Sequence, residues 1–377
     1  MRRRPILIAA FSGRSLAEAA RRAGYEPYVA DLFADADAIK ASAAHIQVPG
    51  DLTVGLDRGA LFDALRDLTA MARPDAGERI PVVCGSGFEA APDALNDLAA
   101  EWRVIANRAQ IVRLIKNPFV FQEVCRSLGV PHPETARLPP KDGRAWLAKG
   151  VGGAGGGHIR RANEADGLAA DRYYQREVAG RAVSTLFIGD GGGHAAVIGF
   201  SEQWASPAPG RPLRYGGAVR PADIDDDLRE GLARATKAIA RCFALVGLNS
   251  ADFLVEGREF FLLEVNPRPG ATLEIFDSPN NLLFEKHLAA FDGARFQPED
   301  FAYAGACASQ VVFADAGDAR APDIAPPEWV KDRPTPGHVT RAHHPLCTVL
   351  AKADTLSECK RLCVERGRLA HRLYYNL

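Results

Sequence analysis

The first hundred residues alternate between apolar runs and amphipathic patterns. Pro5-Ile-Leu-Ile-Ala-Ala-Phe11 is a continuous apolar stretch, as a buried strand requires. Ser15-Leu-Ala-Glu18 has the spacing of a capping box and predicts a helix that ends near Gly24. Residues 25–32 predict a second strand and 59–71 a helix. A third strand is expected at 80–84, ending in Gly85-Ser-Gly-Phe88, then a helix at 91–101 and a strand at 102–106. Strands that alternate with helices imply a parallel sheet with right-handed crossovers. Residues 1–106 are therefore expected to form a small doubly wound α/β domain. Its first strand–helix turn, Phe11-Ser-Gly-Arg-Ser15, lacks the glycine spacing of a dinucleotide site.

The pattern then changes. Residues 107–129 predict two short helices, the second started by Pro118. Pro131, Pro133, Pro139 and Pro140 mark a connector. Beyond it come short strands at 146–149, 172–178, 183–189 and 195–203, a helix at 225–245 and a hairpin over 251–266. The Pro- and Asp-rich segment 318–337 reads as a surface excursion, and a final helix is expected at 355–370.

Charge and cysteine content narrow the function classes. The 377 residues carry 46 Lys+Arg against 47 Asp+Glu, so no overall basic field exists to hold nucleic acid or an acidic membrane. Seven cysteines, odd in number and scattered, suit a reducing cytoplasm better than a disulfide framework. Cys359 and Cys363 read as packed thiols on the last helix. Met1-Arg-Arg-Arg4 with the run after it imitates a signal peptide. The run breaks at Ser12-Gly-Arg-Ser15, and a buried first strand is the better reading. No apolar run approaches the ~20 residues of a membrane helix.

Four segments carry candidate chemistry. In Lys149-Gly-Val-Gly-Gly-Ala-Gly-Gly-Gly-His158, six of the eight residues 150–157 are glycine. Such density fits a loop whose bare N–H groups, including those of Gly152, Gly153, Gly155 and Gly156, wrap polyphosphate beside Lys149; alone it is also a flexible hairpin loop. Glu264-Val-Asn266-Pro-Arg268-Pro-Gly270 follows an apolar strand, so Glu264 and Asn266 share a face. A carboxylate and an amide oxygen suit Mg²⁺, and Arg268 suits phosphate or carboxylate; a solvated strand end is the plain alternative. A three-residue loop, Gly257-Arg-Glu259, would set Asp252 opposite Glu264, two acids that repel unless a cation sits between them. Tyr174-Gln-Arg-Glu-Val178 could offer backbone groups to a purine edge, and Lys116 alone is a surface lysine. His158, His343 and His344 are candidate bases that read as packed or surface histidines. His338, His343 and His344 near Cys347 fit no zinc spacing.

Taken in order, Lys116, Lys149, the Gly-rich flap 150–157, the hinge Gln175–Val178, Asp252 and Glu264-x-Asn266 resemble the ATP-grasp superfamily. The branch resembled is that of carboligases related to biotin carboxylase and D-alanine–D-alanine ligase. The resemblance implies an ATP-grasp fold behind the α/β domain. Its subdomains would be 107–182 with the flap and 183–299 with the metal site, and 300–377 would be a closing lobe. It implies that Lys116 and Lys149 contact the α- and β-phosphates of ATP and that the flap covers the β- and γ-phosphates. Gln175, Arg176, Glu177 and Val178 would line adenine and ribose. Asp252, Glu264 and Asn266 would hold two Mg²⁺, with Mn²⁺ able to substitute. Arg268 would steady the transferred phosphoryl group. Arg214, Arg220, Arg268 and the Gly270 turn are candidates for gripping a substrate carboxylate, with ordinary surface charge as the plain alternative for Arg214 and Arg220. The usual ribose-binding acid after the hinge is absent from 181–187, and no Cys–Lys pair for bicarbonate can be assigned. The implied activity is a cytoplasmic carboxylate–amine ligase working through an acyl phosphate on small-molecule substrates. It would add glutamate or another amino acid to a cofactor precursor, and a homodimer is compatible. Carboxylation through carboxyphosphate, a silent nucleotide-binding module and a nicotinamide-dependent oxidoreductase stand as alternatives.

Overall fold

The computed structural model describes residues 4–74, 77, 79–163 and 166–375; Met1–Arg3 of the signal-like start lie outside them. The first domain is a five-stranded parallel sheet. Its strands lie in the order Ala44–Gln47, Tyr25–Asp31, Arg4–Ala10, Pro81–Cys84, Arg103–Ile105. The chain winds outward on both sides of Arg4–Ala10, so the loops after Arg4–Ala10 and Pro81–Cys84 flank the point where the winding reverses. Such a crevice is where open α/β sheets take ligands. The apolar runs end up here because both faces are covered: Ile6 and Ile8 pack under one helical layer, Leu7 and Ala9 under the other.

One detail differs from the sequence pattern. The first helix, Arg14–Arg22, starts one residue before Ser15, with Gly13 at its N-cap, so the capping box does not form. Gly13 N–H instead donates to Asp31 Oδ2 at 2.8 Å, and Glu18 pairs with Arg14 and Lys331. Long-range partners outcompete the local cap.

Two short helices, Ala109–Lys116 and Pro118–Ser127, lead into a small four-stranded sheet that carries the flap. Here Trp146–Gly150 pairs antiparallel with Arg172–Arg176, setting Lys149 opposite Tyr173. The strand ends at Arg176, so Glu177 and Val178 fall in the connection that follows.

The larger sheet has eight strands. Glu259–Asn266 forms one edge, followed by Val246–Glu256, Arg181–Asp190, Ala195–Ala205, Tyr215–Arg220, Ala306–Phe313, Pro345–Ala353 and Val330–Lys331. The sheet runs unbroken past residues 299 and 300. Helix Asp226–Cys242 covers one face with Leu228, Leu232 and Ile239, and Leu356–Tyr375 covers the far end.

The 318–337 segment is not a free surface excursion. It returns to the first domain through three consecutive residues. Lys331 pairs with Glu18 at 2.9 Å, Asp332 with Arg14 at 2.8 Å, and Arg333 with Asp37 at 3.9 Å. The backbone amides of Asp332 and Arg333 also donate to Asp37. Two acids and a cation on the first domain, Glu18, Asp37 and Arg14, match Lys331, Arg333 and Asp332 on the segment, a complementarity that local composition does not display. Among the described residues, no helix is long and apolar enough to cross a membrane, and all seven cysteines are free.

Candidate active site

The hairpin Val246–Glu256/Glu259–Asn266 builds one wall. Its loop is shorter than expected: Glu256 pairs with Glu259, leaving a two-residue turn at Gly257-Arg258. Gly257 has φ +59°, a conformation that favours glycine. A two-residue turn alone would put Asp252 and Glu264 out of register. The register shifts between Asp252 and Phe253, where Phe253 faces Leu262 while Asp252 faces Glu264. The bulge restores the pairing, so the two carboxylates do oppose each other, for a different reason from the one the loop suggested.

Two lysines and two side-chain amides converge on this pair. Lys116 Nζ lies 3.4 Å from Glu264 Oε2 and 2.8 Å from Asn266 Oδ1. Asn266 Nδ2 donates to Asp252 Oδ2 at 2.9 Å, and Gln203 Nε2 reaches Asp252 Oδ1 at 3.4 Å. Burial disfavours the charge on Glu264, but Lys116, Lys149 and His158 outweigh it and hold the carboxyl below its usual range. Burial and the facing Glu264 push Asp252 the other way. Burial also disfavours the Lys149 ammonium, yet Tyr173, Glu264 and Asp252 hold it charged, above its usual range.

The fit to a divalent cation can be tested on this donor set. Two hard carboxylates and an amide oxygen on adjacent strands suit Mg²⁺, which takes few protein ligands and keeps water and phosphate. Lys116 already stands as a cation on Glu264 and Asn266. Among the described residues there is no group of three or more His, Cys, Asp or Glu side chains able to hold a metal ion, so the amide is part of any site here.

The opposite wall is the small sheet with its flap. Lys149 and Gln175 are buried and joined, Lys149 Nζ to Gln175 Oε1 at 3.2 Å. Arg176 and Glu177 are tied by backbone amides to Glu134 and Ala145. Glu177 leaves one carboxylate oxygen buried without a hydrogen bond, and Val178 is half-buried beside it. Gly152, Gly155 and Gly156 have φ of +72°, +68° and +71°. A Cβ on Gly152 would lie 2.7 Å from Glu89 O, on Gly153 2.6 Å from the His158 ring, and on Gly156 2.0 Å from Leu213 O. Glycine is needed because the flap lies directly against the first domain and the 206–214 loop. The cleft beneath, lined by Lys116, Phe121, His132, Tyr173, Gln175 and Glu264, is pressed down to about 20 Å³. A nucleotide would have to lift the flap.

Arg268 and Gly270 lie together just past the Glu264–Asn266 strand end. Arg268 Nε donates to Glu89, and a Cβ on Gly270 would sit 3.1 Å from Arg268 Nη1. Arg220 does not join them. It is buried, donates to Ile275 O and Gly305 O, and lies 4.6 Å from the Tyr303 ring centre. Arg214 is likewise held by Ser206, Asp315 and His343 O. Both arginines are thus engaged away from Arg268, and the structure does not bring them together with it. His158 faces the cleft, with burial pulling its pKa down, and His343 bonds Asp315 at 3.2 Å.

The sequence reading missed Glu89, Gln203, His132 and Asn107. Asn107 Nδ2 is within 2.9–3.1 Å of Val246 O, Asn249 Oδ1 and Pro267 O, tying the interdomain connection to both hairpin strands. For Glu89 a signal existed: Gly85-Ser-Gly-Phe-Glu89 follows a strand at the crevice of a doubly wound sheet.

Residues 116–272 match the ATP-grasp domain family. That segment, 157 of the 377 residues, is an ATP-grasp domain. Its fold is similar to that of biotin carboxylase from Campylobacter jejuni, solved as a β-γ-ATP complex. The TM-score is 0.74 at 16% identity over 96% of this chain and 91% of that one. It is also similar to the biotin carboxylase domain of Hydrogenobacter thermophilus 2-oxoglutarate carboxylase, a dimer with MgADP, ADP and bicarbonate. There the TM-score is 0.72 at 14% identity, over 98% and 90% of the two chains. Rhizobium etli pyruvate carboxylase gives 0.71 at 17% identity over 95% of this chain and 36% of that one. At these identities the likeness is one of fold. No curated protein matches the sequence. The ATP-grasp match spans both walls of the cleft, from Lys116 to Thr272.

Proposed function

We propose that this ATP-grasp protein is an ATP- and Mg²⁺-dependent carboxylate–amine ligase. The observation that carries the reading is the pairing of Asp252 with Glu264 under a glycine flap, with Lys116 and Lys149 converging on the same space. Asp252, Glu264 and Asn266 would hold two Mg²⁺, and Mn²⁺ would substitute. The metal, when bound, supplies neutralisation of phosphate charge. Lys116 and Lys149 would contact the α- and β-phosphates. The amides of Gly152, Gly153, Gly155 and Gly156 would cover the β- and γ-phosphates, and Gln175–Val178 would border the base and ribose.

In the first step an oxygen of the substrate carboxylate attacks the γ-phosphorus. The bond to the β–γ bridging oxygen breaks, leaving ADP and an acyl phosphate. In the second step an amine nitrogen attacks the acyl carbon. The carbon–oxygen bond to phosphate breaks, and the nitrogen loses a proton. Charge in the first transition state spreads over the phosphoryl oxygens, so Lys149 and Arg268 would act as catalytic cations. The flap would exclude water, which otherwise hydrolyses the acyl phosphate. The acid would lie between Arg268 and the Gly270 turn. An amino acid such as glutamate, joined to a cofactor precursor in the cytoplasm, fits this chemistry. A homodimer is proposed by analogy with the dimeric Hydrogenobacter domain.

A second reading is carboxylation through carboxyphosphate, favoured by the fold shared with biotin carboxylases. One experiment separates the two: phosphate and ADP release from Mg·ATP against a panel of acids, with hydroxylamine as trap and Glu264→Ala as control. Hydroxamate with one acid, absent in Glu264→Ala, supports the ligase. ATP turnover dependent on bicarbonate alone replaces it with the carboxylase. Tight Mg·ATP binding without turnover on any acid favours a silent module.

A further inference from the structure

Glu89 belongs to the first domain, yet three parts of the molecule meet on it. Its side chain is buried, 6% exposed. The carboxylate accepts from the amides of Gly87 at 2.8 Å and Phe88 at 3.1 Å, and from Arg268, 179 residues away in sequence. Its carbonyl oxygen is the atom that a Cβ built on Gly152 of the flap would strike first, at 2.7 Å, with Ala90 Cα next at 2.8 Å. Burial alone would neutralise this acid. Arg268 and Lys116 instead keep it charged, below the usual carboxylate range. Such a group, tied by three hydrogen bonds, cannot serve as a proton shuttle, but it can hold an arginine at a fixed angle.

We infer that Glu89 is a positioning residue for the proposed ATP-grasp reaction, through which the first domain fixes Arg268 and seats the flap. The carboxylate shapes the Gly85–Glu89 loop by capping two of its amides. That loop then presents the carbonyl on which Gly152 rests. Arg268 is held by the same carboxylate, so the flap seat and the arginine move together. The task assigned to Arg268 rests on the ligase reading; the contact between flap and loop does not.

The test has two arms. The first is hydrogen exchange of the flap amides 151–158 in the ligand-free protein. Glu89→Gln should speed it about ten-fold, the effect of losing one such tie. Glu89→Asp, which keeps the charge but shortens the reach to the Gly87 and Phe88 amides and to Arg268, should do the same to a smaller extent, and it keeps this arm decisive if Glu89→Gln fails to fold. The second arm is turnover of Mg·ATP. Glu89→Gln should lower kcat about 10- to 100-fold while changing the KM for ATP less than about three-fold. In an Arg268→Gln background it should lower kcat no further. Unchanged flap exchange in both variants overturns the coupling. Additive losses in the double variant overturn action through Arg268. A lowered KM for the acid overturns it too, showing Glu89 to be a competitor for Arg268. If the wild type neither binds nor turns over Mg·ATP, the ligase reading fails, and the exchange arm still decides the coupling.

Discussion

Two charged clusters border the first domain, and they differ in which sign of charge is in excess. In the seam with the last fifty residues, Arg14 is 2% exposed and faces Glu18, Glu274 and Asp332. Carboxylates outnumber cations there, and burial with neighbouring negative charge pushes Asp35, Asp37 and Glu274 up, while Arg14 holds Asp332 below its usual range. In the cleft, Lys116, Lys149 and Arg268 converge, and they keep Glu264 and Glu89 ionised against burial. A seam that needs only to stay shut can be satisfied by protons. In the cleft the cations hold their carboxylate partners ionised, as Arg268 does Glu89 and Lys116 does Glu264.

The sharpest way to break the comparison is Arg14→Ala. It leaves buried carboxylates without their cation and should cost about 3–5 kcal/mol, read as a lowered urea midpoint. Glu264→Gln tests the other side. It should remove on the order of 10³ in turnover, with several kcal/mol of charge stabilisation lost, while the unfolding midpoint stays near wild type. A large loss of stability in that variant would erase the distinction between site and seam.

Protonation sharpens the contrast. Asp35 is pushed up to about 8 by burial and by Asp332, Asp37 and Asp31. A carboxyl whose folded pKa exceeds its unfolded value binds its proton better when folded. Stability should therefore decline as pH rises from about 4, the unfolded value, toward the folded one, and level off above it. Asp35→Asn should flatten that decline in chemical denaturation at pH 5, 7 and 9. The smallest expected effect is Gly257→Ala. It should cost about 1 kcal/mol at a positive φ and leave Mg²⁺ affinity unchanged, because the bulge, not the turn, pairs Asp252 with Glu264. Weakened metal binding in a calorimetric titration would return control of the register to the loop.

Much of the site was legible along the chain. Lys149 ahead of a glycine run and Glu264-x-Asn266 at the end of an apolar strand are local patterns with few chemical meanings. The parallel first domain was also legible, because its buried strands are nearly pure apolar runs. The three-residue loop was misread, since a bulge is invisible in residue spacing. The 318–337 segment does run along the surface, as Pro and Asp predict, but its docking was not legible, because Asp332 has Arg14 as its partner 318 residues away. Arg220 looked like a substrate clamp until carbonyls at Ile275 and Gly305 took its donors.

By itself the sequence determined which residues could form strands, helices and the glycine flap, and which side chains could meet phosphate and metal. Periodicity, glycine density and side-chain chemistry act over a few residues. Only the tertiary structure decided which charges meet. That Arg268 rests on Glu89, that Arg220 is taken by backbone, and that a bulge sets Asp252 against Glu264 all depend on register and on pairings between distant segments. An arginine has the same chemistry wherever it stands, and its partner is chosen by what packing leaves within reach.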